Sequence, residues 1–292
     1  IDDLKFESKV FIDDFSISNN YYLKNFLPNI KESFNFSDHE LSVKYIKGSL
    51  YLDGKGKVLT QDKEDFLTYS IDKKNGNLDF KVSFEIDNNP FKIDFLNYEK
   101  NKAIIQIDGS KNSKKQTLIK SFSINEKKNQ IKIENLNLNN KLEIIKLGSL
   151  SLDYTDKENQ KNQIKIYKKK DEYILNGSFF NANKLIDNLL SDNNNPNLFN
   201  INNNIKINID EIRLDNKNNL SDLNGNIYFK NREIVKANLD GKFSNDKKLK
   251  FTVNSTDNNK ITTLYIDKAE PIVKRYKFIK GFDGGQLDYY SQ

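Results

Sequence analysis

Hydrophobic and polar residues alternate along most of the chain, and the alternation is clearest between residues 204 and 266. A period of two places alternate side chains on the same side of a β-strand, so five strands with one apolar side are predicted in this region. The connections between them are short, and short connections join antiparallel neighbours. A bulge is predicted at Asp210 and Glu211, where the alternation shifts by one residue. The predicted apolar side includes Ile205, Ile207, Ile227, Phe229, Leu239, Phe251 and Leu264.

The same alternation predicts strands in the preceding part of the chain. Turns are predicted at residues 87–90 and 139–141, and the Gly-Lys-Gly-Lys sequence at residues 54–57 is predicted to form a hairpin tip. A weak helix is predicted over residues 21–34, interrupted by a proline. The predicted strands cover residues 41–45, 50–52, 78–86, 91–95, 103–107, 118–124, 131–138, 142–154 and 164–167.

Two segments, residues 173–190 and 261–287, share an order of strand followed by short helix. In the first segment, Asn181 is predicted to cap a helix whose apolar positions are spaced three or four apart. In the second segment, Asp267 is the predicted cap, and Pro271 lies near the first turn, where its missing N–H does no harm. Glycines are then predicted to reverse the chain into a final strand.

The composition is that of a folded but polar protein, with 36% hydrophobic and 30% charged residues among 292. No run approaches the roughly 18 apolar residues that span a bilayer, and no signal peptide is visible. The chain has no cysteine, which excludes a disulfide framework and thiolate metal sites. Because it starts at Ile1, contains no methionine and stops at Gln292 just after a strand has begun, we expect a piece of a longer protein.

The net charge of +6 brings nucleic acid into consideration as a partner. However, the chain is rich in Lys, Asn and Ile and contains only three arginines, at residues 213, 232 and 275, a profile typical of an AT-rich genome. The lysines are spread among 41 acidic residues, so codon bias explains them at least as well as a polyanionic partner does. Nucleic-acid binding is therefore a third hypothesis based on charge alone.

No enzyme activity is predicted. His39 is the single histidine and lies in a polar segment, so it is predicted to be a surface residue. A catalytic triad or a zinc site would need further partners that the sequence does not place. The glycine-containing segments match neither the P-loop nor the dinucleotide-binding spacing. The sequence therefore predicts no catalytic residue, no metal and no cofactor.

Three stretches carry a family resemblance. They are Leu-Asn-Gly-Ser at residues 175–178 with Asn-Ala-Asn-Lys-Leu-Ile at 181–186, Leu-Asp-Gly-Lys-Phe at 239–243, and Leu-Tyr-Ile-Asp at 264–267 with Gly-Gly-Gln-Leu at 284–287. From about residue 131 to its end, the chain resembles the AsmA-like superfamily, specifically its large YhdP-related branch. The resemblance implies an elongated sheet curled into a trough, anchored to the inner membrane by a segment that is missing here and located in the periplasm of a didermic bacterium.

The predicted fold is mainly β, an elongated, twisted antiparallel sheet curled into a trough, with two or three short helices. Three regions are expected: residues 1–130 as a β-rich continuation of the same sheet, 131–192 as hairpins plus a helix, and 193–292 as a meander plus a helix. The Asn-rich run at residues 193–200 is the predicted linker between the last two regions.

The functional hypothesis is a non-enzymatic envelope protein whose apolar groove carries phospholipid between the inner and outer membranes. Its partners would be phospholipid acyl chains and the inner membrane, and nucleic acid is not among them. The candidate lipid-facing residues are Ile205, Ile207, Ile227, Phe229, Leu239, Phe251 and Leu264. Alternation alone fits a second hypothesis equally well, a closed β-sandwich that serves as a structural or adhesion module and binds a protein or glycan.

Overall fold

A computed structural model describes residues 4–18, 23–190, 202–230, 233–256, 259–276 and 284–292. The described chain is mainly β, as predicted, with two short helices and three 3-10 segments. It divides into two compact units. Unit 1 comprises Ile1–Leu150 and Tyr154–Glu158, and unit 2 comprises Ser151–Asp153 and Asn159–Gln292. The three regions expected from the sequence, with boundaries at residues 130 and 192, stay a prediction.

Unit 1 is an antiparallel meander in which each strand from β1 to β9 pairs with the next along the chain. A further strand, β10 (Ser149–Thr155), contributes residues to both units. The strands of the meander are β1 (Lys5–Ser18), β2 (Ser33–Ile46), β3 (Ser49–Leu59), β4 (Asp65–Lys74), β5 (Asn77–Ile93), β6 (Tyr98–Lys111), β7 (Thr117–Glu126), β8 (Asn129–Leu138) and β9 (Ile144–Lys146).

Unit 2 contains eight strands and both helices of the described chain. They are β11 (Lys161–Lys169), β12 (Glu172–Asn181), α1 (Asn183–Leu190), β13 (Asn204–Arg213), β14 (Asn219–Lys230), β15 (Glu233–Lys242), β16 (Lys248–Ser255), β17 (Lys260–Ile266), α2 (Glu270–Tyr276) and β18 (Leu287–Ser291). The predicted antiparallel meander of five strands is confirmed as β13 to β17. In contrast, β12 and β13 pair in parallel, so the sheet is mixed and not antiparallel throughout.

The predicted turn at residues 87–90 is wrong, because β5 runs through it with a register shift between Asp87 and Phe91. A buried polar network stabilises this irregular stretch. The Nδ2 of Asn89 donates to the carbonyl oxygen of Lys63 at 2.6 Å and to Oδ2 of Asp65 at 2.8 Å. Burial raises the pKa of Asp65, and hydrogen bonds from the Asp87 N–H and from Asn89 partly offset that rise. The strand therefore satisfies its buried polar groups without leaving the sheet.

Other predictions for unit 1 also need correction. The Gly-Lys-Gly-Lys sequence lies inside β3 and not at a hairpin tip. The predicted helix is reduced to a 3-10 segment at Leu23–Asn25, after which β2 begins at Ser33. The predicted strand over residues 142–154 is divided into β9 and β10. Strands β1 and β4 had no counterpart among the predicted strands.

The first predicted helix cap is displaced by one residue and the second is wrong. In α1, the carbonyl oxygen of Ala182 accepts the first helical hydrogen bond, from the N–H of Ile186 at 2.9 Å. Oδ1 of Asn181 accepts a hydrogen bond from the N–H of Asn183, the first residue of α1, at 3.3 Å. Helix α2 begins three residues after Asp267, and the carbonyl oxygen of Ala269 accepts from the N–H of Val273 at 2.9 Å. Asp267 instead accepts from the N–H of Lys248 at 2.7 Å, so its carboxylate joins two strands.

The predicted bulge in β13 is displaced onto the next strand. The register between β13 and β14 is unbroken past Asp210, and the shift occurs in β14 against β15, between Ser221 and Asn224. Asp222, inside this shift, has a φ of 51°, the left-handed region in which a single residue can kink a strand. The predicted linker at residues 193–200 and Gly281 of the predicted turn lie outside the described residues.

Candidate functional site

The residues predicted to form an apolar surface in unit 2 lie on one face of its sheet. One row of this face crosses strands β13 to β17, with one residue from each strand paired with a residue of the next strand. The row consists of Ile207, Gly225, Leu239, Phe251 and Leu264. Ile205 and Ile227 are paired in the adjacent row. Phe229, two residues beyond Ile227 in β14, is buried and is paired with Ile234 beyond a register shift.

The opposite face of the same strands is polar. Lys206, Asn226, Asn238 and Thr252 form the corresponding row, and the first three are exposed. The hydroxyl groups of Thr252 and Thr263 lie 2.6 Å apart across β16 and β17. The sheet of unit 2 therefore has one apolar face and one wet face, as the alternation predicts.

One end of the apolar face in unit 2 is closed, and its middle is only partly covered. Leu220, Phe243 and Ile266 form a buried cluster against which Ile272 of α2 packs. Nearer the middle, Ile207 is buried, whereas Leu239, Phe251 and Leu264 remain half-buried. The end beside α2 is thus an ordinary core, and the middle of the face retains accessible apolar surface.

Unit 1 has a second apolar face, for which no candidate residues were predicted. Its central row crosses seven strands, from β2 to β8. The six side chains in it are half-buried, and the seventh position is a buried glycine, Gly54. A parallel row of half-buried residues includes Val43, Leu52, Ile71 and Phe80. The central row consists of Leu41, Gly54, Tyr69, Val82, Ile107, Phe122 and Ile133.

The alternating sequence of β2, β5, β6, β7 and β8 contained the signal for this face. The row was missed because β4 was not predicted and because Gly54 was assigned to a turn. Without β3 and β4 as complete strands, the residues on either side of them could not be aligned.

The prediction that His39 is a surface residue is wrong, because His39 is only 2% exposed. It lies on the apolar face of unit 1, where its ring stacks on Tyr69 and contacts Phe36 edge-on. Nε2 of His39 lies 3.0 Å from the hydroxyl oxygen of Tyr69. Nδ1 is buried and has no hydrogen-bond partner among the described residues.

The two glycines of β3 explain this arrangement. A Cβ atom at Gly54 would overlap the ring of Tyr69, and one at Gly56 would lie 2.5 Å from Nδ1 of His39. The glycines therefore leave room for the two rings, which meet across β3 from β2 and β4. This close packing is the reason that a Gly-x-Gly sequence lies inside a strand.

Replacing His39 with phenylalanine is expected to remove a loss of stability on mild acidification. Burial lowers the pKa of His39 below its ordinary value near 6.5. At a pH below 6.5, the unfolded chain binds a proton at His39 that the folded chain does not, so the free energy of unfolding falls as the pH decreases. The loss caused by His39 between pH 7.5 and 5.5 is about 1 kcal/mol.

Urea unfolding of both proteins at the two pH values measures this effect. Tyr69→Phe is the control, because it removes the hydroxyl group but retains the histidine and hence the pH dependence. An equal pH dependence in the wild type and in His39→Phe would contradict the assignment.

Unit 2 also contains a polar cleft of about 680 Å³ on the side of Phe179 and Arg213. Oε1 of Glu211 accepts a hydrogen bond from Nδ2 of Asn219, and Nζ of Lys268 donates to Oδ1 of Asn218 at 2.7 Å. The cleft therefore offers two aromatic rings, those of Phe179 and Phe243, together with amide and charged groups. Such a lining can hydrogen-bond a polar ligand.

In the described part of the chain, no group of three or more His, Cys, Asp or Glu side chains is arranged to hold a metal ion. No helix among the described residues combines the length and apolar composition needed to cross a membrane. No family model, no curated protein and no solved structure matches this chain. The site must therefore be interpreted from its own geometry.

Proposed function

We propose that the apolar faces bind the acyl chains of phospholipids and that the chain is part of a non-enzymatic lipid-transfer protein. The observation that supports this proposal most directly is the central row of unit 1, from Leu41 to Ile133, whose six side chains are half-buried on either side of the buried Gly54. An acyl chain lying on these side chains would remove apolar surface from water on both molecules.

The dimensions of the central row suit a long apolar ligand. Its seven strands are separated by six spacings of about 4.8 Å, so the row extends over roughly 29 Å. One acyl chain occupies about half of the ~30 Å hydrocarbon thickness of a bilayer. The row is therefore longer than one acyl chain.

The energetics favour a covered path for lipid over free diffusion. Two chains of about 16 carbons each expose apolar surface worth on the order of 25 kcal/mol when they leave a bilayer, at about 0.8 kcal/mol per CH₂. A surface that keeps these chains covered lowers this cost without any bond being made or broken. The polar opposite face, which includes Lys81 and Gln106, can remain in water.

The burial pattern favours this proposal over a closed sandwich. In a closed sandwich, side chains in the middle of an inward face pack against a second sheet about 10 Å away and become buried. Tyr69, Val82, Ile107 and Phe122 occupy the middle of the face in unit 1 and retain partial exposure. This partial exposure leaves room for a ligand.

The resemblance to the AsmA-like superfamily provides the cellular context of the proposal. On that basis we place the protein in the periplasm of a didermic bacterium, anchored to the inner membrane through a segment outside this sequence. Its role there would be to move phospholipid between the inner and outer membranes.

The purified chain is expected to retain phospholipid, which native mass spectrometry would detect as bound mass. The variant Ile107→Asp places a carboxylate in the central row, and Gln106→Asp places the same group on the exposed opposite face of β6. Because a charge in an apolar layer costs about 3 kcal/mol, Ile107→Asp is expected to retain at least about tenfold less lipid.

Gln106→Asp is the matched control and is expected to retain lipid at the wild-type level. Circular dichroism of both variants establishes that they are folded. Absence of lipid from the wild type, or equal amounts in the two variants, would contradict the proposal.

A second candidate function is a binding module for a glycan or protein, and the polar cleft of unit 2 favours it. Phe179 offers a flat ring, and Gln160 and Asn219 offer amide groups, a combination that suits a sugar. Binding of a soluble oligosaccharide that is lost in Phe179→Ala, without any bound lipid, would support this alternative.

A further inference from the structure

Four hairpin turns lie at one end of the sheet in unit 1. They connect β2 to β3, β4 to β5, β6 to β7 and β8 to β9, and the antiparallel register places all of them at the same end, here called the turn end. Lysines occupy or flank each of these turns, and all of them are exposed. They are Lys47, Lys74, Lys111, Lys114, Lys115 and Lys141.

None of these six lysines forms an ion pair with a described residue. Lysines elsewhere in unit 1 do form such pairs, for example Lys120 with Asp79 at 3.1 Å. The carboxylates nearest in sequence are Asp72, two residues before Lys74, and Glu143, two residues after Lys141. Glu143 accepts a hydrogen bond from Nδ2 of Asn139 at 2.7 Å within its own turn. The turn end thus presents six lysine side chains that form no ion pair with a described carboxylate.

Apolar side chains project at the same end. Leu142 lies at the last turn and is 70% exposed. Its φ of 62° is in the left-handed region, where a branched side chain is strained and asparagine or glycine would be favoured. Leu4 is 55% exposed. It lies next to the first turn, because its carbonyl oxygen accepts a hydrogen bond from the N–H of Lys47. A strained, exposed leucine among unpaired lysines has no role in the packing of unit 1.

We propose that the turn end of unit 1 docks on an anionic lipid bilayer. The outer two of the four turns are six strand spacings of about 4.8 Å apart, so the lysines extend over roughly 29 Å. These lysines would contact the charged headgroups. Leu142 and Leu4 would insert into the interface between headgroups and acyl chains. Each lysine close to an anionic surface makes the free energy of membrane binding more favourable.

A bilayer fits this end better than a nucleic acid does. Exposed aliphatic side chains have no role in binding a phosphate backbone, and the three arginines of the sequence all lie outside unit 1. The proposal goes beyond acyl-chain binding and does not depend on it, because a protein can contact a membrane surface whether or not it carries lipid.

Vesicle flotation tests the proposal, with vesicles of phosphatidylcholine alone and of phosphatidylcholine mixed with phosphatidylglycerol. The chain is expected to bind only the mixed vesicles, and binding should weaken as salt is added. The triple variant Lys74→Gln, Lys114→Gln, Lys115→Gln is expected to lower the partition coefficient by about 100-fold.

The matched control removes three exposed lysines from the opposite end of the same sheet. The control variant Lys63→Gln, Lys127→Gln, Lys128→Gln has the same net charge and is expected to bind within about threefold of the wild type. Equal loss in the two triple variants would overturn the proposal, because it would show a response to net charge only. Equal binding to uncharged vesicles would also overturn it.

Leu142→Asn separates apolar insertion from charge. Asparagine tolerates the left-handed backbone, so the variant is expected to retain full stability while vesicle binding falls several-fold. Unchanged vesicle binding in Leu142→Asn would overturn the insertion step. Binding to single-stranded RNA that the turn-end triple variant abolishes, without vesicle binding by the wild type, would overturn the proposal in favour of a nucleic-acid surface.

Discussion

Replacing Gly225 with alanine is expected to destabilise unit 2 by about 3–5 kcal/mol, since backbone strain and steric overlap both contribute. Gly225 lies in the apolar row of unit 2, between Ile207 and Leu239. Its φ of 146° is one that residues with a side chain rarely adopt. A Cβ atom there would overlap the carbonyl oxygen of Asn238 and lie 2.9 Å from Cα of Leu239. Because both atoms belong to the backbone of β15, relief requires the two strands to separate.

Hydrogen exchange measured by mass spectrometry would report this loss for unit 2 peptides separately from unit 1 peptides. Gly284→Ala is the matched control, because no atom of a described residue lies within 4 Å of the Cβ position at Gly284. The control is expected to change stability by less than about 0.5 kcal/mol. Slow, wild-type exchange in β14 and β15 of Gly225→Ala would contradict the prediction.

In unit 2, the sequence predicted the strands that short connections join to their antiparallel partners. The meander from β13 to β17 follows directly from the period-two pattern of Ile207, Leu239 and Phe251, and the structure confirms it. Short connections leave an antiparallel neighbour as the only partner within reach. The candidate residues in this region therefore lie on one face as predicted.

Contacts between residues distant in sequence account for the predictions that are wrong. The sequence around Gly54 has the composition of a turn, and its role becomes clear only when the ring of Tyr69 is placed above it. Similarly, the polar segment around His39 is buried because Phe36 and Tyr69 enclose the imidazole ring. Local composition predicts neither contact, because each can be located only when the register of β2, β3 and β4 is known.

The two similar strand-helix segments illustrate the same limit. β12 and β17 are each followed by a short helix and then another strand, yet β12 pairs in parallel with its successor and β17 pairs antiparallel. The local pattern predicts where strands and helices occur. It does not determine on which edge, or in which direction, the following strand joins the sheet.

Replacing Tyr154 with alanine is expected to destabilise unit 1 by about 3–5 kcal/mol, through the cavity left by a large buried ring. Tyr154 is fully buried, and its ring meets that of Tyr98 edge-on with centroids 5.6 Å apart. Its hydroxyl group donates to the carbonyl oxygen of Leu96 at 2.9 Å. Burial raises the pKa of both tyrosines, so both remain uncharged at any physiological pH.

Tyr154→Phe separates the ring from the hydroxyl group. It retains the contact with Tyr98 but leaves the carbonyl oxygen of Leu96 without its donor, which is expected to cost about 1–2 kcal/mol. Phe11→Ala removes an aromatic ring that is 72% exposed and is expected to cost less than about 0.5 kcal/mol. Urea unfolding of the three variants should therefore rank their losses as Tyr154→Ala, then Tyr154→Phe, then Phe11→Ala. If Phe11→Ala were as damaging as Tyr154→Ala, the stability of unit 1 would not depend on this buried pair, and the exposed strand β1 would contribute as much as the core.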